Sequence, residues 1–273
     1  MTPAEALVAA EAPMGAPMRG APVEPVVLAV EDIRKSFPGG RRVLAGASFA
    51  VGKGEAVALL GANGAGKSTL LRCCLRLIEP ESGRIELLGA DIRALRGARL
   101  RAQRARVGFV FQRHNLVPRL SALSNVLHGA LARGAGAAAW FQATAPKRLR
   151  AEALDCLDRV GLADSAAMRA DRLSGGQSQR VAVARALMQR AEIVLADEPV
   201  ASLDPAAGEE VMALFAELNA REGLTFLFTT HSIEHALGYA RRAIALKDGR
   251  VAIDAPRAEL DPVSLRDFYE RSS

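Results

Sequence analysis

Gly61-Ala62-Asn63-Gly64-Ala65-Gly66-Lys67-Ser68 fits the spacing G-x-x-x-x-G-K-[ST]. Glycines at these positions let backbone N–H groups turn inward around phosphate oxygens. A helix starting at Lys67 adds the positive end of its dipole. In such a loop Lys67 reaches the β- and γ-phosphates of a nucleoside triphosphate, Ser68 ligates Mg²⁺ and Thr69 meets the α-phosphate. A second constellation closes the run Ile193-Val194-Leu195-Ala196-Asp197-Glu198, an apolar strand ending in two carboxylates. Asp197, at the strand tip, is placed to hold Mg²⁺ through water, and Glu198 to accept a proton from an attacking water. An Asp-Glu pair after an apolar strand says little alone; beside a phosphate loop in the same sheet it predicts triphosphate hydrolysis. A third motif, Leu173-Ser174-Gly175-Gly176-Gln177, lies more than a hundred residues beyond the loop and is far rarer.

The surrounding sequence supplies the elements that would hold these groups. Glu55–Leu60 reads as a short apolar strand entering the loop, and Lys67–Ile78 as a helix with Leu71, Cys74, Leu75 and Ile78 on one face. Strand, loop and helix in that order are what a phosphate loop requires. Val26–Val30 and Val43–Val51 have β character around a Pro38-Gly39-Gly40 turn. Val107–Phe111 is a further strand, and Ile193–Asp197, Leu224–Thr230 and Ala243–Leu246 read as three more βα segments. Residues 121–170 are expected to be mainly helical, interrupted at Gly134–Ala139 and at Pro146, which suggests a separate lobe. Residues 1–24, broken by Pro3, Pro13, Pro17 and Pro22, read as a disordered Ala/Pro-rich leader, with the folded domain running over 25–273.

A chain of 273 residues, half of them apolar and 24% charged, can bury a large core. Its formal net charge of +6 suits nucleic acid, an anionic membrane surface or an anionic ligand, and composition does not choose among them. Arginines at 93, 96, 99, 101, 104 and 106 form the densest basic stretch. No aromatic rings interleave it, so it reads as a solvated helix face and not as a nucleic-acid surface. Cys73, Cys74 and Cys156 form no C-x-x-C pair and are expected to be buried free thiols. No apolar run approaches the ~18 residues of a membrane span, and the N-terminus lacks the pattern of a secretory signal. His231 and His235 stand four apart, but their motif is His-Ser-Ile-Glu-His without a third ligand, so zinc is not expected. His114 and His128 read as surface or loop residues.

Taken together, the motifs resemble the ATP-binding cassette (ABC) family. Beside the phosphate loop, the Leu173–Gln177 signature and Asp197-Glu198, the chain has Gln112 after a strand, Ala201-Ser202-Leu203-Asp204 after Pro199, and His231 after Phe228-Thr229-Thr230. These look like the Q-loop, D-loop and switch histidine of ABC ATPases, in the family's order, and the match covers nearly everything from Val26 onward. The resemblance implies an α/β P-loop NTPase fold with an antiparallel β subdomain near the N-terminus and a helical signature subdomain at about 114–177. It also implies roles. ATP and Mg²⁺ are the expected ligands, with Gly61, Asn63, Gly64 and Gly66 in the loop and Phe37 beneath adenine. Ser174 and the backbone of Gly175 and Gly176, in the signature that Gln177 closes, would cap the γ-phosphate of a second copy's ATP. Asp204 would cross the dimer seam. Gln112 would touch Mg²⁺ and sense the permease. His231 would bind the γ-phosphate and position Glu198 and water.

The stretch Gly108-Phe109-Val110-Phe111-Gln112-Arg113-His114-Asn115-Leu116-Val117-Pro118-Arg119-Leu120-Ser121, with Asn125-Val126-Leu127 and Ala196–Asp204, is more specific. It resembles the ATP-binding subunits of phosphonate importers, and Leu131–Lys147 fits their longer helical lobe. Ser178 and the sequence Thr230-His231-Ser232 depart from that group's usual residues, at no catalytic position. The kinship implies a homodimer on two permease subunits, peripheral on the cytoplasmic face of the cell membrane, fed by an extracytoplasmic binding protein. Export-type ABC systems, such as lipoprotein-release ATPases, carry a similar domain, and direction is set by the permease. Soluble ABC proteins of DNA repair or translation carry coiled coils, zinc cysteines or two cassettes, which this chain lacks.

Overall fold

The computed structural model describes residues 25–112, 115–263, 265 and 266; the expected leader at 1–24, Arg113 and His114 lie outside them. Two sheets organise the chain. The first is antiparallel, in the order β2-β1-β4-β5, from β1 (Val26–Phe37), β2 (Arg41–Gly52), β4 (Ser82–Leu87) and β5 (Ala90–Asp91). The second runs β10-β9-β3-β8-β7-β6, from β3 (Ala56–Leu60), β6 (Val107–Val110), β7 (Ile193–Ala196), β8 (Thr225–Thr230), β9 (Arg242–Lys247) and β10 (Arg250–Pro256). Its strands pair in parallel except β10, which closes one edge antiparallel to β9.

The parallel strands are covered on both faces, and their side chains sort by alternation. Val57 and Leu59 of β3, Ile193 and Leu195 of β7 and Leu227 of β8 enter one core with Phe49, Leu70 and Ile85. Ala58 and Leu60, Val194 and Ala196, Phe226 and Phe228 enter the other. That second core takes in helices α3 (Ala122–Leu127), α4 (Lys147–Asp158), α5 (Gly175–Met188) and α6 (Pro205–Glu222), so the helical segment is continuous with one face of the sheet. Phe215 of α6 stacks on Phe226 at 4.0 Å between centroids, and Phe226 on Phe228 at 4.9 Å.

Several expectations are corrected. The helix after the phosphate loop, α1, runs Lys67–Cys74 and stops short of Ile78. Arg76 turns to φ 52, and the carbonyls of Leu75 and Arg76 are taken by Arg104, at 2.8 and 2.6 Å. The arginine run is not a solvated face throughout. Around α2 (Gly97–Arg104), Arg93 donates to the Gly83 carbonyl, and Arg106 pairs with Glu192 at 2.6 Å, leaving Arg99 and Arg101 exposed. β9 is followed by a strand and not by a helix. β1 extends to Phe37, well past Val30, and β4, β5 and β10 carry no strong sequence signal. Cys73, Cys74 and Cys156 are buried and free, and burial pushes the thiols of Cys73 and Cys156 up to about 11.

Candidate functional site

Four parallel strands deliver the site residues at their carboxyl ends, the position where open α/β sheets bind ligands. β3 runs into the phosphate loop, β6 leads to Gln112, β7 to Asp197-Glu198, and β8 to His231. The loop closes onto α1 through Gly66, whose φ of 102 suits glycine. A Cβ there would also lie 2.9 Å from the Val43 carbonyl, so β2 packs against the loop from outside.

Lys67 is 4% exposed, and its Nζ donates to the Gly61 carbonyl at 2.7 Å and the Ala62 carbonyl at 3.3 Å. The same Nζ lies 3.3 Å from Glu198 Oε1. Ser68 donates its hydroxyl to Asp197 Oδ1 at 2.7 Å across 129 residues of sequence. Asp197 is 4% exposed, a burial that would be costly without partners. Besides Ser68 it receives the Thr229 hydroxyl at 3.1 Å, and Arg72 approaches its other oxygen at 3.7 Å. Glu198 sits at φ 47, with its N–H donating to Thr229 Oγ1 at 2.8 Å. Ser68 and Asp197 thus present two hard oxygen donors side by side, a set that suits Mg²⁺ better than a soft, thiolate-binding metal. No cluster of three His, Cys, Asp or Glu exists among the described residues, so such an ion would fill its shell from phosphate and water.

Phe37, Asn63, Gly64, Gly66, Lys67, Ser68, Thr69 and Glu198 line one cleft of about 490 Å³. Gly61 borders the adjoining hollow. Phe37 is 38% exposed at the end of β1, so it is not a core phenylalanine. His231, exposed, shares a smaller cavity of about 160 Å³ with Glu198, Thr229 and His235. Gln112 is exposed just beyond β6, next to the strand that ends in Asp197, and lines neither space.

The signature lies elsewhere. Ser174, Gly175, Gly176, Gln177 and Asp204 do not line the cleft that Lys67 lines. Ser174 caps α5, accepting from Gln177 N–H at 3.2 Å, while the Gln177 side chain accepts from Ser174 N–H at 2.9 Å. Asp204 caps α6, accepting from Ala207 N–H at 3.0 Å. The two motifs touch: a Cβ on Gly175 would lie 2.8 Å from Leu203 Cδ2, so a larger residue there would have to displace the Leu203 side chain. Ser174, Gly175 and Asp204 are exposed. The chain therefore carries a cleft that Glu198 lines beside Lys67 and, apart from it, an exposed cap with backbone N–H groups at a helix start. Sequence reading missed Thr229 and Arg72. The only hint of Thr229 was a hydroxyl beside the apolar run Phe226-Leu227-Phe228, where a buried polar group is expected to find a partner.

Comparison with known proteins agrees with this geometry. The sequence profile of the ABC transporter family matches residues 44–201. "Phosphonates import ATP-binding protein PhnC" of Frankia casuarinae is 51% identical over 85% of this chain and 90% of its own length. The protein of the same name from Nocardia farcinica is 49% identical over 90% and 91%. "Phosphate-import ATP-binding protein PhnC" of Mycolicibacterium smegmatis is 47% identical over 90% and 93%. Among solved structures, the dimeric post-hydrolysis state of the ATP-binding cassette MJ0796 bound to ADP and Pi covers 84% of this chain and 98% of that one, at 33% identity and a TM-score of 0.73. CbiO1 from Clostridium perfringens covers 86% and 90%, at 30% identity and a TM-score of 0.75. Matches of this extent show that the chain belongs to the ABC transporter family, as one of its ATP-binding and ATP-hydrolysing subunits in the PhnC group.

Proposed function

We propose that this subunit drives import of a phosphonate or a related phosphorus oxyanion. The observation that carries the substrate is kinship: relatives at 46–51% identity over 85–90% of the chain bear the name phosphonates import ATP-binding protein. In this reading two copies form a homodimer on two transmembrane permease subunits, at the cytoplasmic face of the inner membrane. An extracytoplasmic binding protein delivers the solute. The dimeric state named for MJ0796 supports the pairing. Among the described residues no helix is long and apolar enough to cross a membrane, which leaves the crossing to the permease. The ATPase domain spans 25–273, and its helical subdomain, about 114–177, faces the permease.

Phe37 stacks against adenine, Gly61, Asn63, Gly64 and Gly66 turn backbone donors to the phosphates, and Thr69 holds the α-phosphate. Lys67 exchanges its loop carbonyls for β- and γ-phosphate oxygens. Ser68, Gln112 and, through water, Asp197 would hold Mg²⁺, which would supply positive charge against the phosphate oxygens. Glu198 takes the proton of the attacking water, and His231 positions Glu198 and that water from the cavity they share. Ser174, Gly175, Gly176, Gln177 and Asp204 complete the second copy's site. Loaded binding protein closes the pair through the permease, and the coupling is no larger than its preference for one permease state over the other.

The test is ATP hydrolysis in proteoliposomes carrying the cognate permease and binding protein, with a phosphonate, phosphate or an amino acid added in turn. Stimulation by the phosphonate is expected. The name of the Mycolicibacterium smegmatis relative favours phosphate as a second reading, and stimulation by phosphate alone would select it. Stimulation by the amino acid alone removes phosphorus oxyanions altogether and leaves only the transport ATPase.

A further inference from the structure

We propose that Arg41 is part of the nucleotide site, a second cation that grips the phosphate chain of ATP together with Lys67. The inference rests on the reading of the cleft as an ATP site. No motif contains Arg41; its position comes from the hairpin. β1 and β2 are joined at Pro38-Gly39-Gly40, and Phe37 and Arg41 are direct cross-strand partners. Directly opposed residues of an antiparallel pair project to the same face. The hairpin therefore presents a ring and a guanidinium side by side, and both line the cleft that holds Lys67, Ser68 and Glu198.

Three observations separate Arg41 from an ordinary surface arginine. Its Nη2 lies 3.5 Å from the point a Cβ would occupy on Gly64, so the exposed guanidinium leans toward the phosphate loop. It borders both hollows that flank the loop, the nucleotide cleft and a neighbouring space of about 340 Å³ with Asn63, Ala65 and Asp248. Among the described residues its side chain has neither hydrogen bond nor ion pair. Arg104, Arg106 and Arg242, by contrast, are all taken by carbonyls or carboxylates. A guanidinium fork matches two phosphate oxygens at once, and such charged hydrogen bonds are the strong ones. Lys67 supplies a point charge from within the loop; Arg41 supplies a planar fork from the hairpin, beside the ring that receives the base.

The alternative use of the same geometry is cation–π contact, with Arg41 stacking on the adenine beside Phe37. The two uses separate by phosphate number. Titration calorimetry of the full chain with MgATP, ADP and AMP should be run on wild type, Arg41→Ala, Arg41→Lys and Lys67→Ala. Arg41→Ala is expected to weaken ATP about tenfold, ADP less, and AMP hardly at all, and Arg41→Lys to recover part of the loss. Arg41 is exposed on a hairpin, so the thermal midpoint should stay with wild type. A change below twofold for ATP overturns the proposal while leaving the cleft intact. An equal loss for ATP, ADP and AMP moves Arg41 to the base and overturns the phosphate assignment. If wild type and Lys67→Ala bind ATP alike, the reading of the cleft fails and Arg41 falls with it.

Discussion

Asp197 and Glu198 share a peptide bond and meet opposite surroundings. Asp197 follows β7 directly and stays inside the protein, held by the hydroxyls of Ser68 and Thr229. Glu198 leaves the strand at φ 47, a turn that costs a non-glycine residue about 1–3 kcal/mol and swings its carboxylate into the cleft beside Lys67. Thr229 holds both conformations, because one hydroxyl accepts from Glu198 N–H and donates to Asp197. A base so placed contributes on the order of 10²–10⁴ in rate. Glu198→Gln keeps the shape and the amide can still approach Lys67, so ATP affinity should hold within a few fold while turnover falls by at least about a hundredfold. Single-turnover hydrolysis measured beside equilibrium binding checks this; near-wild-type turnover would show that the proton goes elsewhere. The pair Asp-Glu was legible in sequence because its two residues are adjacent and close an apolar run. Thr229 was not, because its contacts cross from another strand and a threonine in a β run is unremarkable by itself.

At the scale of elements, the strand that feeds the phosphate loop was easy to read, while the devices that anchor it were not. Glu55, just before β3, faces Arg242 at the start of β9, with 3.1 Å between Arg242 Nη1 and Glu55 Oε1. Arg242 also pairs with Asp254 of β10 at 2.5 Å and donates to the Ala50 carbonyl of β2 at 3.0 Å. One guanidinium thereby ties the two sheets and the edge strand together. Burial works against its charge, and Asp254 and Glu55 outweigh it, so its pKa is raised. In sequence these four residues lie up to 204 positions apart (50 to 254), and nothing local links them. The early end of α1 has the same origin, since Arg104 takes the Leu75 and Arg76 carbonyls from a distant helix. Removing one partner from a buried ionic network leaves the others unpaired, which typically costs about 3–5 kcal/mol. Arg242→Ala should accordingly lower the unfolding free energy by an amount of that order, read as a lower urea midpoint at unchanged slope, and ATP affinity of the folded fraction should change little. A loss under about 1 kcal/mol would mean that the carboxylates find water instead.

For the whole molecule the question is why the signature was legible and yet makes no sense within one chain. Ser174 and Gly175 are exposed at a helix start, with Gly176 buried behind them; backbone donors there suit an anion, and the three stand apart from the cleft of Lys67. Gly175 leans on Leu203 and Gly176 on Ala207, so the signature and the D-loop residue Asp204 form one rigid surface. In the proposed homodimer a second copy would complete this surface, bringing one cleft to each signature. That arrangement can be tested by complementation. Lys67→Ala removes the cation from a chain's own cleft. Ser174→Arg sets a large cation where, in the proposed dimer, a small hydroxyl would face the second copy's γ-phosphate, and as an exposed N-cap its loss costs the fold only about 1 kcal/mol. Each variant alone damages both sites of its homodimer, and hydrolysis should be nearly absent. In a mixed pair one site carries both lesions and the other carries neither. Mixing the two inactive proteins at equal amounts, with subunit exchange allowed before ATP is added, should therefore restore hydrolysis, and the recovered rate should vary with the proportion of mixed pairs. A site lying within one chain gives no recovery at any ratio, and that result would return Ser174 to the role of a helix cap and nothing more.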